Sequence, residues 1–208
     1  MIPSSALRAA AGRPGALFLL VLILLAPLSV SSAQKVGVEK MCKAHGMGSE
    51  SDLARVREAY NRAIKVGIPE AQLQPFVEDI LLHKLDCPQV VRVLDVSADL
   101  RKKGLPYFVV FSKVREGMAK EAPPALVVEA AESKLNSLSA SRDVLESLKT
   151  MGYRVRDFQN AAVVLSSYIE KGYTGPDIVT RIGTKGIQGA GFTALSGLVE
   201  KPVRRKER

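Results

Sequence analysis

The chain contains no tryptophan, only two histidines and two cysteines, and aromatic residues make up 5% of its 208 positions. Each scarcity removes a class of function. Histidine is the side chain whose ordinary pKa lies near neutrality, so two of them leave little material for general acid–base catalysis. Two cysteines standing 45 positions apart give neither the Cys-x-x-Cys of a disulfide-exchange enzyme nor the Cys-x-x-Cys-His of c-type haem attachment. Ser137, Ser139 and Ser141 have no nucleophile-elbow context, and the acids Glu78, Asp79, Glu129 and Glu132 fall on polar helix faces. The basic C-terminus has no aromatic residue on which a base could stack, so no nucleic-acid partner is expected. The residues point away from an enzyme.

What the chain does have begins at its N-terminus. Arg8 and Arg13 supply a basic start, an uninterrupted apolar run covers Ala16 to Ala26, and small residues follow up to Ala33. That is the layout of a secretory signal peptide over residues 1–33. Ser31 and Ala33 suit the small pockets of a signal peptidase, which places the cut between Ala33 and Gln34. The alternative is a retained N-terminal anchor, although a spanning helix needs about 20 apolar residues and Pro27 interrupts the run. Either way the expected location is periplasmic or secreted.

Removing residues 1–33 leaves 28 basic against 21 acidic residues, a net charge of +7. The last eight positions carry +4 of it through Lys201, Arg204, Arg205, Lys206 and Arg208, offset by Glu207. Such an end after Pro202 reads as a solvated, disordered tail, or as a tether to an anionic surface such as lipid headgroups or acidic glycan. Arg101-Lys102-Lys103 forms a second short run, at a helix end where cations complement the helix dipole.

The rest reads as short helices punctuated by glycine and proline. Ser49 or Ser51 caps a helix carrying Leu53, Val56, Tyr60 and Ala63 that stops at Gly67. Pro69, Pro88 and Pro106 open the next three, and Tyr107–Phe111 has strand propensity within a helical period that continues to Met118. From Pro124 one long helix or two run to Gly152, followed by a stripe from Phe158 to Ile169. Pro176 opens a short helix, the glycine-rich Gly183–Gly191 stretch reads as a flexible connector, and a last helix holds Phe192, Leu195, Leu198 and Val199. Glycine ends one helix and proline restarts the next at Gly67-Ile68-Pro69 and Gly104-Leu105-Pro106, 37 positions apart. That interval suits one helix-turn-helix unit of an α-solenoid, although it does not hold along the whole chain. The expectation is an all-α fold: an irregular array or bundle of short helical hairpins, solenoid-like at most. An N-terminal arm at 34–50 precedes the helical domain at 51–200 and a basic disordered tail at 201–208. The segment Lys113-Val114-Arg115-Glu116-Gly117-Met118-Ala119-Lys120-Glu121-Ala122-Pro123-Pro124 resembles segments of exported all-helical bacterial proteins, a resemblance that brings no activity and no site residue with it.

One constellation uses every cysteine and histidine: Cys42-x-x-His45 and His83-x-x-x-Cys87. Two short-range pairs of soft or borderline ligands make the count of a closed tetrahedral zinc site. Two cysteines in an exported chain more simply form one disulfide, Cys42–Cys87, and the two readings exclude each other. Gly189-x-Gly191-x-x-Ala194 matches a dinucleotide fingerprint formally, but only 14 residues follow it, too few for the βαβ unit it serves. The functional expectation is an exported, non-enzymatic interaction or scaffold protein without a cofactor, whose partner is a macromolecule of the cell envelope. An envelope-surface protein held to anionic lipid or glycan by Lys201, Arg204, Arg205, Lys206 and Arg208 is the alternative. A metal-binding protein using Cys42, His45, His83 and Cys87 is the third. A membrane would be met only through an uncleaved signal or the basic tail.

Overall fold

The computed structural model describes residues 31–46 and 49–201, and of residues 31–36 and 39 only the backbone. Among these lie eight α-helices: α1 (Ser31–Ala44), α2 (Glu50–Lys65), α3 (Glu70–Leu82), α4 (Cys87–Lys102), α5 (Phe108–Ala119), α6 (Pro124–Thr150), α7 (Phe158–Glu170) and α8 (Gly175–Gly189). Two-residue strands β1 (Arg154–Val155) and β2 (Val199–Glu200) pair antiparallel, with Arg154 opposite Glu200 and Val155 opposite Val199. The fold is an all-α array of helical hairpins with one short ribbon. None of the described helices is long and apolar enough to cross a membrane.

Short polar side chains start α2, α4, α7 and α8, whereas α3 and α6 start at prolines. Ser49 Oγ accepts the Asp52 N–H at 3.1 Å, Asp86 and Gln89 form a reciprocal capping box, and Asp157 and Thr174 cap α7 and α8. Helix ends share one device. A residue with positive φ turns the chain, and the next residue, apolar, bonds back across the last turn. Gly67, Gly104, Gly152 and Gly172 take the turning position before Ile68, Leu105, Tyr153 and Tyr173. Lys84 and Glu121 do the same before Leu85 and Ala122 without being glycine.

These turns mark a repeat. Buried positions recur 37 residues apart as Leu53 and Val90, Val56 and Val93, Ala63 and Leu100, Ile68 and Leu105, Leu73 and Val110, Val77 and Val114, and Leu81 and Met118. Hairpin α2–α3 is therefore repeated as α4–α5. The first helices lie in one layer and run the same way: Asp52 meets Cys87 and Arg62 meets Asp95, then Arg92 meets Glu132 and Lys103 meets Ser139. The second helices form the other layer, in which Phe76 stacks on Phe111 at 3.9 Å and Tyr107 donates to Gln72 at 2.8 Å. Stacking hairpins side by side buries a continuous core between the layers.

The third hairpin departs from the period. Val90, Val93, Val96 and Leu100 of α4 find their buried counterparts in Leu138, Ser141, Val144 and Leu148 of α6, 48 positions on. The extra eleven residues amount to three helical turns, so the buried face keeps its direction. α6 serves as a shared wall: Ser139 meets Lys103 at the end of α4, Lys134 meets Glu170 of α7, and Val144 packs against Gly175 of α8.

The run opened by Pro124 is one helix of the two options, and the helical period through Tyr107–Phe111 holds, as α5. Other expectations change. Gly183–Gly191 is no flexible connector: α8 runs through it to Gly189, kinked at Gly186 with φ 70°. The anticipated last helix is a 3-10 turn at Thr193–Leu195 followed by β2, because Val199 is buried in the ribbon opposite Val155. The N-terminal arm contains helix α1, which places Val38 and Cys42 in the core. The apolar run at 16–26 lies outside the described residues, as do Arg204, Arg205, Lys206 and Arg208. The expected cut between Ala33 and Gln34 falls in the first turn of α1.

Candidate functional site

The cysteines and histidines separate by environment. Cys42, on α1, and Cys87, opening α4, are both buried, whereas His45 and His83 are exposed. His83 sits at the end of α3 with Nδ1 donating to the Asp79 carbonyl at 2.9 Å. Among the described residues no three His, Cys, Asp or Glu side chains are placed to hold a metal ion. The structure therefore does not gather Cys42, His45, His83 and Cys87 into one ligand set. It brings the two sulfurs into one buried neighbourhood, but the expected disulfide is not formed. The Cys87 thiol instead donates to the Asp52 carbonyl at 3.2 Å. Burial pushes that thiol up to about 11, with the Asp52 carboxylate and Cys42 adding to the rise.

The exposed side of the first-helix layer is the most extended candidate surface. On α2, Arg62 bridges Glu58 and, across the helix gap, Asp95 of α4, both at 2.8 Å. Its hydrogen bond to Asp95 raises the guanidinium pKa further. One step along, Arg92 of α4 pairs with Glu132 of α6. These charges border a groove of about 280 Å³ whose apolar part is Pro88 and Val91. A second trough, of about 480 Å³, lies between α6 and α8 and is lined by Ala140, Val144, Pro176 and Val179. Gly175 permits the close approach there, since a Cβ on it would stand 3.3 Å from Val144 Cγ2.

At one end of the array, a cavity of about 690 Å³ separates the turn at Lys84-Leu85 from its repeat equivalent at Glu121-Ala122. Leu85 is buried, while Ala122, shorter at the same place, is half-buried. His83 and the exposed Leu82 border this space.

A polar cluster joins α6 to α7. Lys134 Nζ, on a side chain only 11% exposed, donates to Glu170 Oε1 at 2.7 Å and to Ser166 Oγ at 3.3 Å. Ser137 donates to the same carboxylate oxygen at 2.9 Å. Ser137 and Ser166 are buried and the lysine donates to both partners, so this arrangement clamps two helices. Sequence reading missed it, because Lys134 and Glu170 stand 36 positions apart with no local pattern linking them.

Of the expected anionic-surface residues, Lys201 alone is described: it follows β2 with Nζ 5.6 Å from the centre of the Tyr153 ring. Comparison with family models, curated proteins and solved structures finds no match to this chain.

Proposed function

We propose that this protein is an exported, non-enzymatic scaffold that binds a macromolecule of the cell envelope along its first-helix layer. One observation carries the reading. Helices α2, α4, α6 and α8 lie side by side in one direction and leave grooves that a partner's side chains could enter. Repeat arrays offer extended faces of this kind, and the charge rows at Arg62–Asp95 and Arg92–Glu132 would fix the register of a partner. Export follows from the leader at residues 1–33, cut after Ala33. In an oxidising compartment, Cys42 and Cys87 would join with loss of two hydrogens, fastening α1 to the start of α4.

Photo-crosslinking in the expressing cell tests the binding face. A photoreactive residue replacing Val91, in the groove, should give a discrete adduct, and one replacing Gln74, exposed on the second layer, should not. No adduct from Val91, or the same adducts from both, overturns the reading. Intact mass of the exported protein without reductant checks the rest. A mass of residues 34–208 less two hydrogens supports the cut and the bridge, and a longer chain or two thiols rejects them in turn.

A further inference from the structure

The end of the array reached by the second half of α6 differs in charge from the rest of the molecule. Residues 34–148 hold 17 basic and 16 acidic side chains, whereas residues 149–208 hold 11 basic and 5 acidic. Of these, the described residues 149–201 hold seven basic and four acidic side chains, and several of the cations are gathered around the end of α6. Lys103, at the end of α4, donates to Ser139 on α6, and α6 continues eleven residues past that point to Thr150. At 1.5 Å per residue it stands about 16 Å beyond α4.

Lys149 lies in the last turn of α6, over the Phe158 ring at 4.7 Å. Arg154 follows in β1, exposed, and Arg156 just after it is tied to Glu200 at 2.6 Å. α8 reaches the same level, since Tyr153 donates to the Ile182 carbonyl at 3.1 Å, which brings the exposed Lys185 there. Between Lys185 and Lys201 lies a cavity of about 520 Å³ lined also by Gly186–Gly189, Ser196, Gly197 and Glu200, whose carboxylate is paired with Arg156. Of the acids at this tip, Glu146 pairs with Lys149, Asp157 caps α7 and Glu200 pairs with Arg156, while the exposed Asp143 is matched in net charge by the adjacent exposed Arg142. The tail leaves from Lys201, carrying four more cations and one acid.

We propose that this protruding tip, through Lys149, Arg154, Lys185 and Lys201, docks the protein onto an anionic lipid surface. A projection meets a plane without obstruction from the remaining helices, and cations spread over α6, β1, α8 and β2 suit a partner that is broad rather than groove-shaped. The cavity framed by Lys185 and Lys201 has the charge and size to receive a headgroup phosphate. The proposal extends the tail-tether alternative to the folded residues and does not depend on what occupies the helix grooves.

Co-sedimentation of the protein, as purified from the expressing cell, with phosphatidylglycerol-containing and pure phosphatidylcholine vesicles tests it. Binding should require the anionic lipid and weaken as salt rises from about 50 to 200 mM, since the attraction is screened. The triple variant Arg154→Gln, Lys185→Gln, Lys201→Gln should lose at least about tenfold in affinity. The matched triple Lys65→Gln, Lys84→Gln, Lys102→Gln makes the same charge change away from the tip and should lose less than about twofold. Deleting residues 202–208 should weaken binding while leaving it sensitive to the tip triple. Unchanged thermal melts establish that each variant is folded. Equal losses in both triples, complete loss on deleting the tail, or binding to a soluble polyanionic glycan but not to vesicles, each overturns the proposal.

Discussion

Lys84 and Glu121, 37 positions apart, adopt the same left-handed backbone, with φ of 60° and 54°. Each occupies the place that Gly67, Gly104, Gly152 and Gly172 take at the other helix ends. A side chain there costs about 1 kcal/mol, which the rest of the turn offsets. The two strained turns hold the same step of successive repeats.

Exchange at these turns should therefore run in opposite directions. Lys84→Gly and Glu121→Gly are each expected to stabilise by about 0.5–1 kcal/mol, and Gly104→Ala, with φ +71°, to destabilise by about 1 kcal/mol. Urea denaturation of the three variants measures this. A loss of stability in both glycine variants would mean that the lysine and glutamate side chains contribute more than the strain costs.

Ala122 stands where the preceding repeat has Leu85, next to the cavity of about 690 Å³. Ala122→Leu should extend the core into that space and raise stability by about 0.5–1 kcal/mol, read as a higher melting temperature. A lower melting temperature would show that the two turns differ in packing and not only in residue size.

Burial holds the Cys87 thiol up to about 11 and, with help from Glu70, the Tyr60 phenol up to about 12. The folded chain thus binds these protons more tightly than the unfolded chain, whose groups titrate near 9.0 and 10.0. Their contribution is complete below about pH 9 and disappears as pH rises through about 11 to 12. Under reducing conditions stability should fall across that range, and Cys87→Ala should flatten the fall between about pH 9 and 11. Urea midpoints at three alkaline pH values decide the matter; parallel curves for both proteins would remove Cys87 as a cause.

Replacing the Glu170 carboxylate by an amide should leave Lys134 with neutral acceptors only, Ser166 Oγ and the amide oxygen. Glu170 is 39% exposed on its side chain, so water compensates in part, and Glu170→Gln is expected to cost about 1 kcal/mol. Lys134→Met with Glu170→Gln together should cost less than the two single changes added. A double-mutant cycle by chemical denaturation measures the coupling, and simple additivity would sever the pair.

How much of this was legible depended on whether the controlling contact was local. Gly67, Gly104 and Gly172 announced helix ends because glycine favours positive φ, whereas Lys84 and Glu121 disguised equivalent ends. The run from Pro124 to Gly152 read as one helix or two, yet Ser141 near its middle bonds back to the Ser137 carbonyl at 2.7 Å and stays buried inside one helix. Glycines at 183, 186 and 189 suggested a connector, yet the chain is helical on both sides of Gly186, where a φ of 70° makes the kink. The ribbon escaped notice because two-residue strands have no periodicity to read. At the candidate sites, the scarcity of cysteine pointed to a Cys42–Cys87 pair, and the structure brings the two near each other without a bond. The grooves and the tip were not readable, since they depend on which helices become neighbours.

The continuity of α6 also limits how this chain can change length. Each residue added to that helix would turn everything after it by about 100° and advance it by 1.5 Å. One extra residue would swing α7 and α8 away from the core, whereas a gain or loss close to whole turns would slide them along the axis with their buried faces still inward. Insertions and deletions in α6 should therefore be tolerated in steps of about seven or eleven, and the reach of the C-terminal end can be reset only in such increments.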